Sequence, residues 1–331
     1  MRIWIALLCC VGALAQTPAP VVAVPRPDRD FRSDEVLRNL DIVNWRLGMA
    51  DVAEVDDVQY TSLPVAKPAN PTGQGALNPL IIHALTFLPK GLDRSRQHPL
   101  IVFVHGGVHS RFDSESMHIV RELIGQGYSI IAPDYRGSTG YGSEFYNSID
   151  YGGREVDDVH AAREWMLQAY KFLDPKRVGI IGWSHGGMIS LLSIFQQPKA
   201  YAVAYAGVPV SDLVARMGYK SESYRQIFSA RGHFGKSAAD DVEEYLRRSP
   251  VTYAAQLATP LLIHTNTNDE DVNVLEVRRM IAALKAEGKQ FEYKIYENAP
   301  GGHHFNRIDT ALAKESRAEV WKFLAPYLLK P

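Results

Sequence analysis

The 331-residue sequence has two cysteines, Cys9 and Cys10, both within its first fifteen residues. From residue 11 onward there is no thiol, which excludes disulfides, cysteine nucleophiles and thiolate metal ligands there. Charge of one sign is missing as well: 36 Lys and Arg stand against 37 Asp and Glu, a net charge of −1. No basic excess is present to hold nucleic acid or an anionic membrane surface. Long apolar runs are missing except at the start. There Arg2 precedes an apolar stretch that closes with Ala13-Leu14-Ala15 before Gln16. One positive charge, a short apolar run and a small-x-small site make the pattern of a secretory signal peptide cleaved after Ala15. The run is too short for a comfortable membrane span. The expectation is a secreted or periplasmic protein with no stable membrane insertion once the signal is removed.

The whole sequence is 46% apolar, enough for one large core or two domains. Residues 16–30 carry Pro18, Pro20, Pro25 and Pro27 and read as an extended, mobile leader. Residues 33–47 place Val36, Leu37, Leu40, Ile42 and Val43 at helical spacing, which predicts a short helix packed on the body. Prolines and glycines return between Tyr60 and Gly75, with weak strand signals before them. A regular alternation begins at Leu80. Apolar runs at 80–88, 99–105, 128–132, 177–181, 201–207, 260–264 and 291–296 read as strands. Helical patterns at 115–126, 154–171, 188–194, 274–288 and 310–329 separate or follow them. Alternating β and α over some 250 residues predicts an α/β fold with a mostly parallel central sheet flanked by helices. Residues 209–255 interrupt the alternation with helical patterns and are a candidate small cap over the site. The organisation expected is therefore a signal peptide at 1–15, an N-terminal extension at 16–79, and a catalytic domain at 80–331 with an insertion at about 209–255.

The chemistry centres on Gly182-Trp183-Ser184-His185-Gly186-Gly187. An apolar strand pattern precedes it and a helical pattern follows. That is the context of the G-x-S-x-G elbow, in which a strained turn lifts a serine hydroxyl to the end of a sheet. A serine needs a base, and the base needs an orienting carboxylate, from later positions in the chain. His303 follows Gly301-Gly302 after the last strand and is the preferred base, with His304 in reserve. The acid lies in the loop after strand 260–264. Asp269 is preferred because Val272 packs down behind it, and Asp271 stands second. The oxyanion needs backbone donors, for which the N–H groups of His185 and Gly107 are chosen, Gly107 lying in the His105-Gly106-Gly107 loop after an early strand. Trp183, Tyr141 and Val208, with Val210 and Tyr219, are candidates for an apolar substrate pocket. No cofactor or metal is implied: the His303–His304 pair has no third ligand at suitable spacing.

With these residues in place, the chain from about Leu80 to Leu329 resembles the catalytic domain of the prolyl oligopeptidase family of serine peptidases, within the α/β-hydrolase fold. The resemblance rests on His105-Gly106-Gly107, on Asp134-Tyr135-Arg136-Gly137 continuing to Gly140-Tyr141-Gly142, on the elbow, on Asp269 with Val272, and on Gly302-His303 with Phe305. It implies Ser184, Asp269 and His303 as a catalytic triad that cleaves peptide bonds through an acyl-enzyme. A carboxylic esterase using the same triad is the alternative. Two departures stand out. Too few residues precede the match to build the family's β-propeller, and the acid loop is one residue longer than usual, which keeps Asp271 in contention.

Overall fold

The computed structural model describes residues 29–68, 70–230 and 233–330. The signal-peptide reading at 1–15 and most of the proline-rich leader lie outside the described residues. The chain from Phe31 onward falls in one unit. In chain order its helices and strands are α1 (Phe31–Met49), β1 (Ala53–Ser62), β2 (Leu80–Pro89), β3 (His98–Val104), α2 (Met117–Ile124), β4 (Ser129–Asp134), α3 (Gly142–Tyr146), α4 (Arg154–Ala169), β5 (Leu173–Trp183) and α5 (His185–Gln196). They continue with β6 (Val203–Gly207), α6 (Leu213–Tyr219), α7 (Glu222–Ser229), α8 (Val242–Arg247), β7 (Leu261–Asn266), α9 (Val274–Ala286), β8 (Glu292–Tyr296) and α10 (Ala311–Leu328).

Eight strands form one sheet in the order β1-β2-β4-β3-β5-β6-β7-β8. The β1/β2 and β2/β4 pairs are antiparallel, and every pair from β4/β3 to β7/β8 is parallel. This is the mostly parallel α/β-hydrolase sheet that the alternation of apolar runs predicts. The runs are continuous because both faces are covered. Successive side chains on a strand point to opposite faces. On β3, Leu100, Val102 and Val104 therefore enter one core with Val159 of α4, Leu192 of α5 and Met280 of α9. Ile101 and Phe103 enter the other with Trp45 of α1, Leu123 of α2 and Leu324 of α10. All five β3 side chains are essentially inaccessible to solvent. Each contributes roughly 1.5–3 kcal/mol of apolar transfer, so the central strands are held from both sides while their carboxyl ends stay free to carry loops.

The N-terminal segment is tied to this sheet more closely than its sequence suggests. Strand β1 pairs with β2 over ten residues in unbroken register, from Ala53 opposite Pro89 to Ser62 opposite Leu80. The sheet therefore begins well before residue 80. Helix α1 forms where its spacing predicts, but it turns a different face inward. Asp41, Trp45 and Met49 are buried, while Val36, Leu37, Leu40, Val43 and Leu47 remain 49–73% exposed. Trp45 stacks on Phe112 at 5.4 Å and meets Phe87 edge-on at 4.8 Å. Asp41 accepts the Ser114 N–H at 3.1 Å. One large aromatic and one capping carboxylate decide the face, and the aliphatic stripe points away.

Candidate active site

Strand β5 and helix α5 meet at Ser184, whose φ of 58° and ψ of −119° lie where an L-residue is strained. Glycines make that turn fit. A Cβ on Gly182 would collide with the Gly186 carbonyl, and one on Gly186 would collide with the carbonyls of Val104 and His105. The backbone is held there by Ser184 N donating to Gly207 O at 2.9 Å and by Val210 N donating to Ser184 O at 3.2 Å. The elbow is thus locked to the neighbouring strand β6 and to the loop that leaves it.

His303 sits in a single 3₁₀ turn after β8, behind Gly301 at φ 88° and Gly302 at φ 49°. Its Nδ1 lies 2.8 and 2.9 Å from the two carboxylate oxygens of Asp269. The Asp269 side chain is fully buried. It also accepts the N–H groups of Asp271 and Val272 at 2.9 and 2.8 Å, so its orientation is set by its own loop. Glu270 accepts the His303 backbone N–H at 3.0 Å and fastens the two loops together. A carboxylate on Nδ1 leaves Nε2 as the working nitrogen. Nε2 is 3.8 Å from Asp271 Oδ2. Ser184 and His303 line the same cavity of about 400 Å³, with no direct hydrogen bond between them in this structure. Such bonds are often loose without substrate and tighten in the complex.

Asp271 has other partners. It pairs with Arg216 at 3.2 Å and with Lys220. Arg216 is almost fully buried and also reaches Glu276 at 3.0 Å. The Arg216, Lys220 and His303 charges together hold the Asp271 carboxyl below its ordinary range against the opposing pull of burial. Asp271 is therefore an ion-pair partner of the insertion and contacts His303 only from the Nε2 side.

Gly107 and His185, the residues expected to supply the oxyanion amides, border one cavity together with Ser184. Gly107 has φ 65°, and its carbonyl is turned away to accept Tyr135 OH at 2.5 Å. His185 opens α5, so its N–H has no partner within the helix. The His185 ring is engaged elsewhere, with Nε2 3.1 Å from the fully buried Glu155.

The insertion borders the site as well. Val210, Leu213, Arg216 and Phe228 line a second, smaller cavity of about 150 Å³ that also touches Ser184, Gly107 and Asp271. Of the pocket residues read from sequence, Val210 is there. Trp183 borders the larger cavity, with its indole buried and Nε1 donating to Asn306 Oδ1 at 2.9 Å. Tyr141 and Val208 line neither cavity, which corrects that expectation. Tyr141 donates to the buried Asp134 at 2.5 Å and stacks on His83. Val208 is fully buried, at φ 39°, with its N–H donating to His264 O. Tyr219 turns to Glu276. All three carry a locally polar or strained role that apolar character alone does not reveal. Sequence reading missed Phe228, Tyr151 and Arg307, because each joins the site across a loop with no motif of its own.

Comparison with known proteins agrees with this arrangement. The model of the Prolyl oligopeptidase family matches residues 114–330. The chain belongs to the prolyl oligopeptidase family. It is 30% identical over 230 residues to the Uncharacterized peptidase YuxL of Bacillus subtilis (strain 168), covering 69% of this chain and 34% of that one. It is 29% identical over 247 residues to the Acylamino-acid-releasing enzyme of Rattus norvegicus, covering 73% and 33%. The chain thus spans about a third of the length of these curated relatives. Among solved structures, the Pyrococcus horikoshii acylaminoacyl peptidase superposes with a TM-score of 0.67 at 19% identity, over 86% of this chain and 44% of that one, a likeness of fold. Among the described residues no group of three or more His, Cys, Asp or Glu side chains could hold a metal ion. No helix among them is long and apolar enough to cross a membrane.

Proposed function

We propose that the chain is a serine hydrolase that cleaves amide bonds in peptide substrates through an acyl-enzyme. The observation that carries this reading is the pairing of His303 Nδ1 with buried Asp269 in a loop that shares a cavity with the strained Ser184. Ser184 Oγ attacks the carbonyl carbon while His303 Nε2 takes its proton. The negative oxygen that forms is held by the N–H groups of Gly107 and His185. His303 then passes the proton to the departing nitrogen, the C–N bond breaks, and water repeats the sequence to free the acyl group. Asp269 holds the imidazole with Nδ1–H inward and stabilises the transient imidazolium.

The two cavities divide the substrate. The departing nitrogen receives its proton from His303, so the leaving group occupies the cavity that His303 lines. The acyl side chain then enters the smaller cavity, where Val210, Leu213, Met188 and Phe228 favour an apolar group. We further propose export, supported by the apolar run that ends at Ala15; the amino terminus of the mature protein tests this.

The test is a paired assay of the parent and Ser184→Ala on blocked peptidyl anilides and p-nitrophenyl esters. Anilide turnover lost in the variant supports a peptidase. Ester turnover alone moves the assignment to an esterase. Equal activity of parent and variant would remove Ser184 from the mechanism.

A further inference from the structure

The leaving-group cavity is lined by a cation that forms no ion pair among the described residues. Arg307 lies four residues after His303, and its Nη2 donates to the His303 carbonyl at 2.6 Å. Its Nε is buried without a hydrogen-bond partner, and among the described residues no carboxylate lies within 4.0 Å of the guanidinium. The group is also close to the nucleophile. A point one Cβ bond from Gly106 lies 3.4 Å from Ser184 Cβ and 3.7 Å from Arg307 Nη1. Burial pulls the Arg307 pKa down, against the pull of Tyr205, Asp269 and Asp271. A guanidinium stays charged under any such pull. A half-buried cation left unpaired is destabilising unless an anion arrives to meet it.

The three acids that line the same cavity, Asp113, Glu115 and Asp271, form no ion pair with Arg307. Asp271 is taken by Arg216 and Lys220. Asp113 caps the turn at Ser114–Ser116 by accepting Glu115 N–H at 3.3 Å, and burial beside Glu115 and Asp41 pushes its carboxyl up to about 6. Arg111 lines the cavity too, with its own Nε buried and unpartnered.

We propose that Arg307 binds the free α-carboxylate of a single leaving amino acid, so that the enzyme removes the C-terminal residue of a peptide or N-acyl amino acid. This rests on the serine hydrolase reading above and names its substrate class. The geometry favours one residue. A leaving amino acid holds its carboxylate carbon about 2.5 Å from the departing nitrogen, which brings a carboxylate beside Ser184 within reach of Nη1. A longer leaving peptide presents a neutral amide at that position and leaves the guanidinium unmet. With Nη2 held by the His303 carbonyl, Nη1 is the donor that meets the carboxylate, in a charge-assisted hydrogen bond. The products are the free amino acid and, after water attacks the acyl-enzyme, the shortened acid.

The experiment compares benzyloxycarbonyl-Ala-Leu with its C-terminal amide on the full chain. The parent should hydrolyse the free acid with kcat/KM at least about tenfold higher, the size of one charge-assisted contact. Arg307→Met should bring the acid-to-amide ratio to about one, and Arg307→Lys should restore part of the preference. Because Arg307 also touches the His303 loop, the ratio is the readout, since a merely structural loss lowers both substrates together. A second measurement needs no variant: leucine, and not leucinamide, should inhibit p-nitrophenyl ester turnover by the parent. Equal turnover of acid and amide, or a preference retained in Arg307→Met, overturns the inference and leaves the hydrolase reading standing. Ester turnover with neither amide bond cleaved overturns the inference together with the peptidase assignment, and a parent inactive on every substrate overturns both readings.

Discussion

Two Ser, His and Asp sets lie at the carboxyl ends of the central strands, and only one is arranged for catalysis. In the first, His303 meets Asp269 through Nδ1 and keeps Nε2 toward the cavity that Ser184 lines. In the second, His105 Nε2 lies 3.0 Å from Ser138 Oγ and 3.5 Å from Asp134 Oδ1. There serine and aspartate crowd the same nitrogen. Nδ1 faces the Gly106 carbonyl at 2.9 Å, and Ser138 donates its one proton to Tyr135 O at 2.7 Å. Ser138 is fully buried, so no carbonyl carbon can approach it. A relay needs two ring nitrogens with different partners and an accessible hydroxyl. The same three residue types without that wiring form a structural cluster beneath the Gly106–Gly107 loop.

The sharpest way to break this comparison is a pair of serine variants. Ser184→Ala should lower kcat by about 10⁶-fold, as removal of a triad nucleophile does, and should abolish labelling by a fluorophosphonate probe. Ser138→Ala should leave turnover and labelling unchanged. A drop in activity of the same size in both would mean that the buried set is catalytic after all.

The acids come next. Asp269→Asn should cost about 10⁴-fold in kcat by favouring the wrong imidazole tautomer, with the melting temperature as the check on folding. Asp271→Asn should cost far less and should act through the Arg216 and Lys220 contacts. A larger loss in Asp271→Asn would exchange their roles.

The buried set should reveal itself through stability and pH. Burial pushes His105 down to about 4 and Asp134 up to about 7, so both are neutral in the folded protein between those values. The depressed imidazole makes stability fall as pH drops from the unfolded value near 6.5 toward 4. The raised carboxyl makes stability fall as pH rises from near 4 toward 7. In that window the folded and unfolded chains each bind one proton at this pair, and the two slopes cancel. Removing one partner should expose the slope of the other. Asp134→Asn should lose stability relative to the parent as pH falls from 6.5 to 4, by up to roughly 3 kcal/mol. His105→Gln should lose it as pH rises from 4 to 7. Denaturant midpoints across pH 4–8 read both, and parallel curves for parent and variants would refute the neutral pairing. The smallest effect belongs to Ser138→Ala, about 1 kcal/mol for one buried hydrogen bond, read from the same midpoints.

Much of this site was legible in sequence because its parts sit in strand–loop–helix contexts whose backbone demands are local. Gly182 and Gly186 are required by contacts within a few residues and with one neighbouring strand, and they mark Ser184 unmistakably. Gly301 and Gly302 mark the His303 turn in the same way. The acid was harder. Asp269 and Asp271 are equivalent as loop carboxylates, and they separate only when Asp269 is drawn under His303 while Arg216, from an insertion fifty residues earlier, takes Asp271. The pocket was hardest. Tyr141 and Val208 have the apolar character of lining residues, but Asp134 and the sheet's own backbone claim them.

The sequence by itself determined the central parallel strands, because continuous apolar runs buried on both faces leave little choice of state, and it determined the nucleophile, because a strained turn between close-packed elements admits only glycine on either side. Tertiary structure alone decided what those local rules do not touch. It chose the face of α1 that packs, since Trp45 found Phe87 and Phe112 in the core on its own side of the sheet. It chose which Ser, His and Asp act together, since that depends on which ring nitrogen each partner reaches. It also left Arg307 in the cavity of Ser184 with its Nε unpartnered, a long-range fact that no local pattern encodes.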